Sequence, residues 1–291
     1  MRQKLYAKVA LFVTAMLWGS TFAIGKMAME SFSPYFTIAL RFSVAGVALI
    51  IVSIPLYRKL NRQYWIDGIW MGVTLFGGYI LQAVGLSMDT SPGKSAFLCT
   101  TYNVMVPFMH WFATKKRPQL LHILGVFICM TGIGVLSLQG GWGMSTGDLL
   151  TVLSGVPSAM NIVISAIVCR DKNPLLLTTI ELCVVAVLAW VFVAFTGTFP
   201  VAFPMQAVGS IVYLGLFATA LCLYFQSFGL KYAEASVGGM ILSLESVFGV
   251  IFSIILFHEK VTPRMLVGFA LIFVAIVLSQ KEEPEKEKGK G

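Results

Sequence analysis

The sequence predicts an all-α membrane protein: ten transmembrane helices in two inverted five-helix repeats, with both termini cytoplasmic. Three observations carry this expectation. The 291 residues are 57% apolar and only 12% charged, with a mean hydropathy of +0.84, whereas a soluble domain averages about 25% charged residues. The apolar stretches are long enough to cross a hydrocarbon core of roughly 30 Å, which takes about 20 helical residues. Finally, landmarks in the first half recur in order in the second.

Charges, prolines and glycines divide the chain into ten apolar segments, near 7–28, 34–56, 65–87, 93–113, 119–138, 147–169, 174–196, 205–229, 236–257 and 264–280. Backbone polar groups must be paired in lipid, so helices are the expected form of such runs. The first segment follows a charge, as a signal peptide does. Its apolar run from Ala7 to about Gly25 is too long for that and has no clear cleavage site, so it is expected to be retained. The third and eighth segments are the least clean. After Gln280 a highly charged tail, 281–291, is expected to be disordered.

With a cytoplasmic N-terminus, alternate loops collect 16 of the 21 Lys and Arg residues, which satisfies the positive-inside bias and an even number of spans. The formal charge of +8 forms no continuous basic stripe, so nucleic acid is not an expected partner. Five cysteines lie in or at the ends of apolar segments without metal-ligand spacing and read as packing residues. No cofactor or metal is implied.

The repeat is faint but ordered. Trp18-Gly19 corresponds to Ser154-Gly155, Ser33-Pro34 to Asn173-Pro174, Leu75-Phe76 to Leu216-Phe217, Gly85-Leu86 to Gly229-Leu230, and Gly125 to Gly268, at offsets between 136 and 144 residues. Residues 1–140 and 141–280 thus form two repeats. Five spans is an odd number, so the second repeat enters from the opposite side. Repeats of this kind place a substrate site near the midplane and expose it alternately to either face.

Ionisable residues within spans are expensive and mark candidate sites. Glu245 falls about nine residues into the ninth segment, near the midplane. It is either a proton or cation coupling site or a carboxylate tied to a neighbouring helix. Arg41 and Glu181 each lie seven residues after their Pro in matching spans. At ~1.5 Å per residue they sit ~10 Å in from opposite faces, too far apart to pair directly. Either a zwitterionic substrate bridges them, or Arg41 snorkels outward and Glu181 inward.

Polar stripes add candidates. Thr14, Trp18, Thr21 and Gly25 share one face of the first span, and Ser154, Ser158, Asn161 and Ser165 share one face of the sixth. Tyr79, Gln82, Tyr102, Asn103 and Tyr224 supply aromatic and amide groups suited to a small amphipathic solute. Ordinary packing between helices is the alternative for each. Gly68 and Gly72 form a GxxxG, read as close helix contact ahead of dimerisation, which leaves a monomer or a homodimer.

The chain resembles the EamA-type members of the drug/metabolite transporter superfamily. The resemblance covers nearly all of it and rests on Leu17-Trp18-Gly19-Ser20-Thr21-Phe22, Arg41-Phe42, Leu244-Glu245 with Val247-Phe248, and His258-Glu259-Lys260-Val261-Thr262 leading to Gly268. It departs from the family pattern at Ser246, where Pro often follows the Glu, and at Lys116, where the first repeat often has an acid. The resemblance implies secondary-active transport, with a small-molecule substrate and membrane lipid as partners. Export of small amphipathic metabolites such as amino acids is the expected activity, and proton-coupled drug efflux is the alternative. Small multidrug-type exchangers carry a carboxylate in the first helix, and none lies between Ala7 and Met29.

An intramembrane enzyme or a membrane sensor or scaffold is the rival class. His110, His122 and His258 are far apart, Thr262 stands where a zinc helix needs a second His, and Ser145 stands where a GxGD site needs Gly. No phosphate-binding loop occurs.

Overall fold

The computed structural model describes residues 2–88, 90–115, 117–137, 144–169, 171–232 and 241–279. The expected disordered tail and Lys116 lie outside them. All regular structure among the described residues is helical: α1 (Arg2–Met29), α2 (Pro34–Ser53) with a 3₁₀ extension (Ile54–Lys59), α3 (Arg62–Ser87), α4 (Pro92–Cys99) and α5 (Tyr102–Thr114). There follow α6 (Leu120–Ser137), α7 (Thr146–Leu153), α8 (Gly155–Val168), α9 (Pro174–Thr196), α10 (Met205–Gly215), a π turn (Leu216–Leu221), α11 (Cys222–Tyr232), α12 (Glu245–Phe257) and α13 (Pro263–Ser279).

Among the described residues, six helical stretches are long and apolar enough to cross a membrane: Leu5–Met29, Pro34–Lys59, Arg62–Ser87, Thr146–Val168, Pro174–Thr196 and Met205–Gln226. Shorter apolar helices cover Leu120–Leu136, Glu245–Phe257 and Pro263–Ser279. Large apolar side chains such as Ile51, Trp70, Phe127, Phe195 and Ile255 are exposed on the outside of the bundle. Water would not tolerate so much apolar surface on a monomer, but lipid tails do.

Helix starts are set locally. Ser33, Asn61, Ser91, Ser145 and Asn173 each accept a hydrogen bond from a backbone N–H of the turn they precede. Pro34, Pro92 and Pro174 then occupy a first-turn position, where the missing N–H costs nothing. Gly197, at φ +62°, ends α9 in the left-handed conformation that a residue without Cβ adopts freely.

Three segments expected as continuous helices are interrupted. The fourth, 93–113, kinks at Thr100 and Thr101, whose hydroxyls donate to Phe97 O and Leu98 O while Thr101 N and Asn103 N bond three residues back. Side-chain competition for these carbonyls tightens and bends the helix. The ninth turns at Ser243 and Leu244, with Leu244 N bonded to Ile241 O and Ser246 N to Ser243 O. The sixth bends at Ser154, whose hydroxyl donates to Thr151 O.

Packing runs in layers. α2 lies along α9 around Phe36, Phe42, Leu182, Val185 and Ala189, and α6 lies along α13 around Ile272, Ala275 and Ile276. α1 packs against α10, α11 and α12, and α3 packs against α7, α8 and α9. A Cβ on Gly72 would come 2.5 Å from Val184 Cβ, and one on Gly68 2.6 Å from Ile180 Cγ2. The GxxxG face is therefore spent inside the protomer, on close approach of α3 to α9.

Candidate functional site

The two ends of the bundle differ. At the start of α3, Asp67 pairs with Lys172, and Asn173 N donates to the Tyr64 hydroxyl at 3.0 Å. Beyond its far end, Thr90 O accepts from Lys26 Nζ, near the end of α1, at 2.8 Å. The N-terminus of α1 thus shares an end with Lys172, called proximal below. The distal end holds Thr90.

A cavity of about 640 Å³ lies between α3, α8, α9 and α11 and reaches the proximal end at Lys172 and Pro174. Its lining is mostly apolar (Met71, Leu75, Ile162, Leu223) with Asn161, Ser165, Thr178, Glu181 and Gln226 set into it. Asn161 Nδ2 donates to Glu181 Oε1 at 2.7 Å and to Met71 O at 2.9 Å. Glu181 is buried and has no basic partner within ion-pair distance among the described residues. An apolar chamber with a few convergent polar groups is the usual form of a small-molecule site.

A second, small cavity of about 30 Å³ is lined by Thr21, Gly25, Thr37, Arg41, Tyr79 and Gln82 with apolar neighbours. Arg41 Nε donates to Thr219 Oγ1 at 2.9 Å, and Thr219 donates in turn to Leu214 O, five residues back in the π turn. The guanidinium carbon lies 5.0 Å from the Tyr79 ring centroid, and the Tyr79 and Phe42 rings meet edge to face at 4.9 Å. The π turn also frees Ala218 O to accept from Trp18 Nε1 at 3.0 Å. Gln82 Nε2 donates to Cys99 Sγ at 3.2 Å.

Glu245, expected well inside a continuous ninth span, is the first residue of α12 instead, directly after the Ser243–Leu244 turn. Only 5% of it is exposed, and Tyr102 OH approaches Oε1 at 3.5 Å, long for a hydrogen bond from a hydroxyl. A helix start within an apolar segment presents unpaired N–H groups, which lipid forbids unless protein surrounds them.

Among the sequence-derived candidates, the structure brings Trp18, Thr21, Arg41, Tyr79 and Gln82 together, Asn161 with Glu181, and Tyr102 with Glu245. Arg41 and Glu181 do not touch; each has its own partner. Three residues stand apart. Asn103 donates locally to Thr100 O. Ser158 donates to Ser154 O and packs where α8 meets Gly78 of α3. Tyr224 is 57% exposed beside Phe225, on the outer surface of α11.

Sequence reasoning missed the distal network. Lys94 pairs with Asp148, both buried, and Thr90 Oγ1 donates to Asp148 Oδ1 at 2.9 Å. Glu259 accepts from the Ser91 and Ser253 hydroxyls and from Gly93 N. Together these join the start of α4 to α7 and to the end of α12. The signal was present, since 94 and 148 fall inside predicted spans and deserve the same suspicion as any intramembrane charge. Among the described residues, no cluster of three His, Cys, Asp or Glu is placed to hold a metal.

Comparison with known proteins gives a consistent answer. The model of the EamA-like transporter family matches residues 5–138 and again residues 145–280. An uncharacterized transporter of Archaeoglobus fulgidus is 29% identical over 276 residues, covering 95% of this chain and 86% of the relative. A probable terminal-alkyne amino-acid exporter of Streptantibioticus cattleyicolor is 25% identical over 280 residues, covering 92% and 91%. A solved crystal structure superposes with a TM-score of 0.67 at 18% identity, covering 94% of this chain and 95% of the other, a likeness of fold alone.

Proposed function

Because the chain belongs to the EamA-like transporter family and is a multi-pass integral membrane protein, we propose that it exports small amphipathic metabolites such as amino acids by alternating access. The observation that carries this reading is the 640 Å³ cavity at Glu181 and Asn161, which reaches the proximal end while an ion pair and charged hydrogen bonds tie helices together at the distal end. The printed name of the Streptantibioticus relative supports the substrate class.

The alternating frame is ten spans in two inverted repeats with both termini cytoplasmic. Three features support it. The family model matches twice. The Thr100–Thr101 and Ser243–Leu244 turns fall at corresponding places in the fourth and ninth spans. Contacts also recur in exchanged form: α2 with α9 and α6 with α13 join matching spans, while α1 with α12 mirrors α7–α8 with α4–α5. The proximal end is then cytoplasmic, and the arrangement seen is open to the cytoplasm. Substrate enters between α3, α8 and α9, the proximal end closes, and the distal contacts part. Glu245 and Glu181, carboxylates enclosed by protein, are the candidate sites for a coupling proton or cation.

Purified protein in liposomes tests the reading. Counterflow of labelled amino acids that depends on the protein supports it. Product formation without flux would assign an intramembrane enzyme instead, and flux confined to cationic dyes would assign drug efflux.

A further inference from the structure

We propose that the small cavity at Arg41 is a carboxylate-binding subsite, so that the substrates are organic acids or amino acids held by their acid group. The inference deepens the transport reading and rests on it only for what happens to the ligand after binding.

Arg41 is buried, with 8% exposed, and has no acidic partner within ion-pair distance among the described residues. A guanidinium carries five N–H donors, and the Arg41–Thr219 bond uses only Nε. The terminal nitrogens make no hydrogen bond to the described residues, and Arg41 is part of the cavity lining. A buried cation without an anion is costly, and the Tyr79 and Phe42 rings, at 5.0 and 5.7 Å from the guanidinium carbon, offset only part of that. The second observation is independent: Thr37, also buried, has a hydroxyl with no partner in the same cavity. A buried guanidinium with free N–H groups and a neighbouring hydroxyl without a partner, on residues that line one cavity, call for an acceptor, and a carboxylate matches the planar fork of Arg.

Volume sets the size of the group. One water needs roughly 10–15 Å³, so about 30 Å³ admits a few atoms, not a whole metabolite. The rest of the ligand has a path. Met71 and Leu75 line the large cavity while Tyr79 and Gln82 line the small one, and their spacing puts all four on one face of α3. Tyr79 follows Leu75 by one turn on that face, and its movement would let an acid in the large cavity reach Arg41 while its apolar part stays against Met71 and Leu75.

Thermal unfolding of the purified protein in detergent tests the subsite without requiring transport. Sodium benzoate and leucine are compared with benzamide, leucinamide and sodium chloride at matched ionic strength. The acids should raise Tm and the amides and chloride should not. Arg41→Gln should weaken acid binding about tenfold or more, the scale of one charged hydrogen bond, with Arg41→Lys retaining part of it. Thr37→Val gives a second reading should Arg41→Gln fail to fold, and should reduce the same shift. Equal shifts with amides or chloride, no shift with either acid, or undiminished shifts in the variants would overturn the subsite. Liposome flux is read separately: acid binding without flux removes the transport reading and leaves the subsite standing.

Discussion

At the scale of single residues, Asn161 joins three helices by itself. It stands on α8, donates to Glu181 on α9 and to Met71 O on α3. Asn161→Leu removes both bonds, and a buried polar group left without its partner costs about 1–3 kcal/mol. Thermal unfolding in detergent should register that loss. Glu181→Gln keeps a partner for Asn161 and removes only the charge. Its Tm should stay near that of the wild type while affinity for zwitterions falls about tenfold, and an unchanged affinity would take Glu181 out of the substrate path. Glu245 is tested through coupling: in Glu245→Gln the dependence of flux on a pH gradient should disappear while exchange at equal pH persists. A pH profile identical to the wild type would assign Glu245 to structure.

Among helices, the close approach of α3 to α9 decides where the large cavity lies, and glycine permits it. Gly72→Val would drive a side chain into Val184, and such overpacking typically costs 1–3 kcal/mol. Lower Tm with the cavity pushed open at its proximal mouth is the expected result, and a fully stable Gly72→Val would mean that the two helices separate easily. Helix positions were largely readable from the sequence, because Ser33-Pro34 and Asn173-Pro174 announce their starts and lipid demands long apolar runs. The breaks were not. Thr100, Thr101 and Ser246 act through hydroxyls that compete for local carbonyls, and residues such as Thr131 and Thr179 make similar bonds inside unbroken helices. Site residues divide in the same way. Arg41, Glu181 and Asn161 stood out as polar groups in oily runs. The outward position of Tyr224 was not legible, because a tyrosine reads alike whether it faces a cavity or the lipid.

For the molecule as a whole, the contrast between its ends matters most. Lys94, Asp148, Thr90, Ser91 and Glu259 bind the distal end together, whereas the proximal end has a cavity leading in from Lys172. Removing one member of a buried ion pair leaves the other uncompensated, at about 3–5 kcal/mol. Asp148→Asn should therefore shift the population toward an open distal end. A cysteine replacing Gly25, in a background without the native cysteines, should then react faster with a membrane-impermeant maleimide added from that side. An unaltered rate would show that the pair contributes nothing to closure. The sequence hinted at this asymmetry only through two charges just inside predicted spans, since the partners lie 54 positions apart on different helices.

The Lys94–Asp148 contact has one more consequence, for voltage. Moving an elementary charge through the full membrane potential is worth about 2.3 kcal/mol per 100 mV. A lysine and an aspartate displaced equally along the membrane normal, in contact or parted, move no net charge through the field, so only a difference between their displacements draws work from the potential. Any current that accompanies turnover then counts the cargo, whatever ion travels with it, and those protein charges that move without such a counterweight.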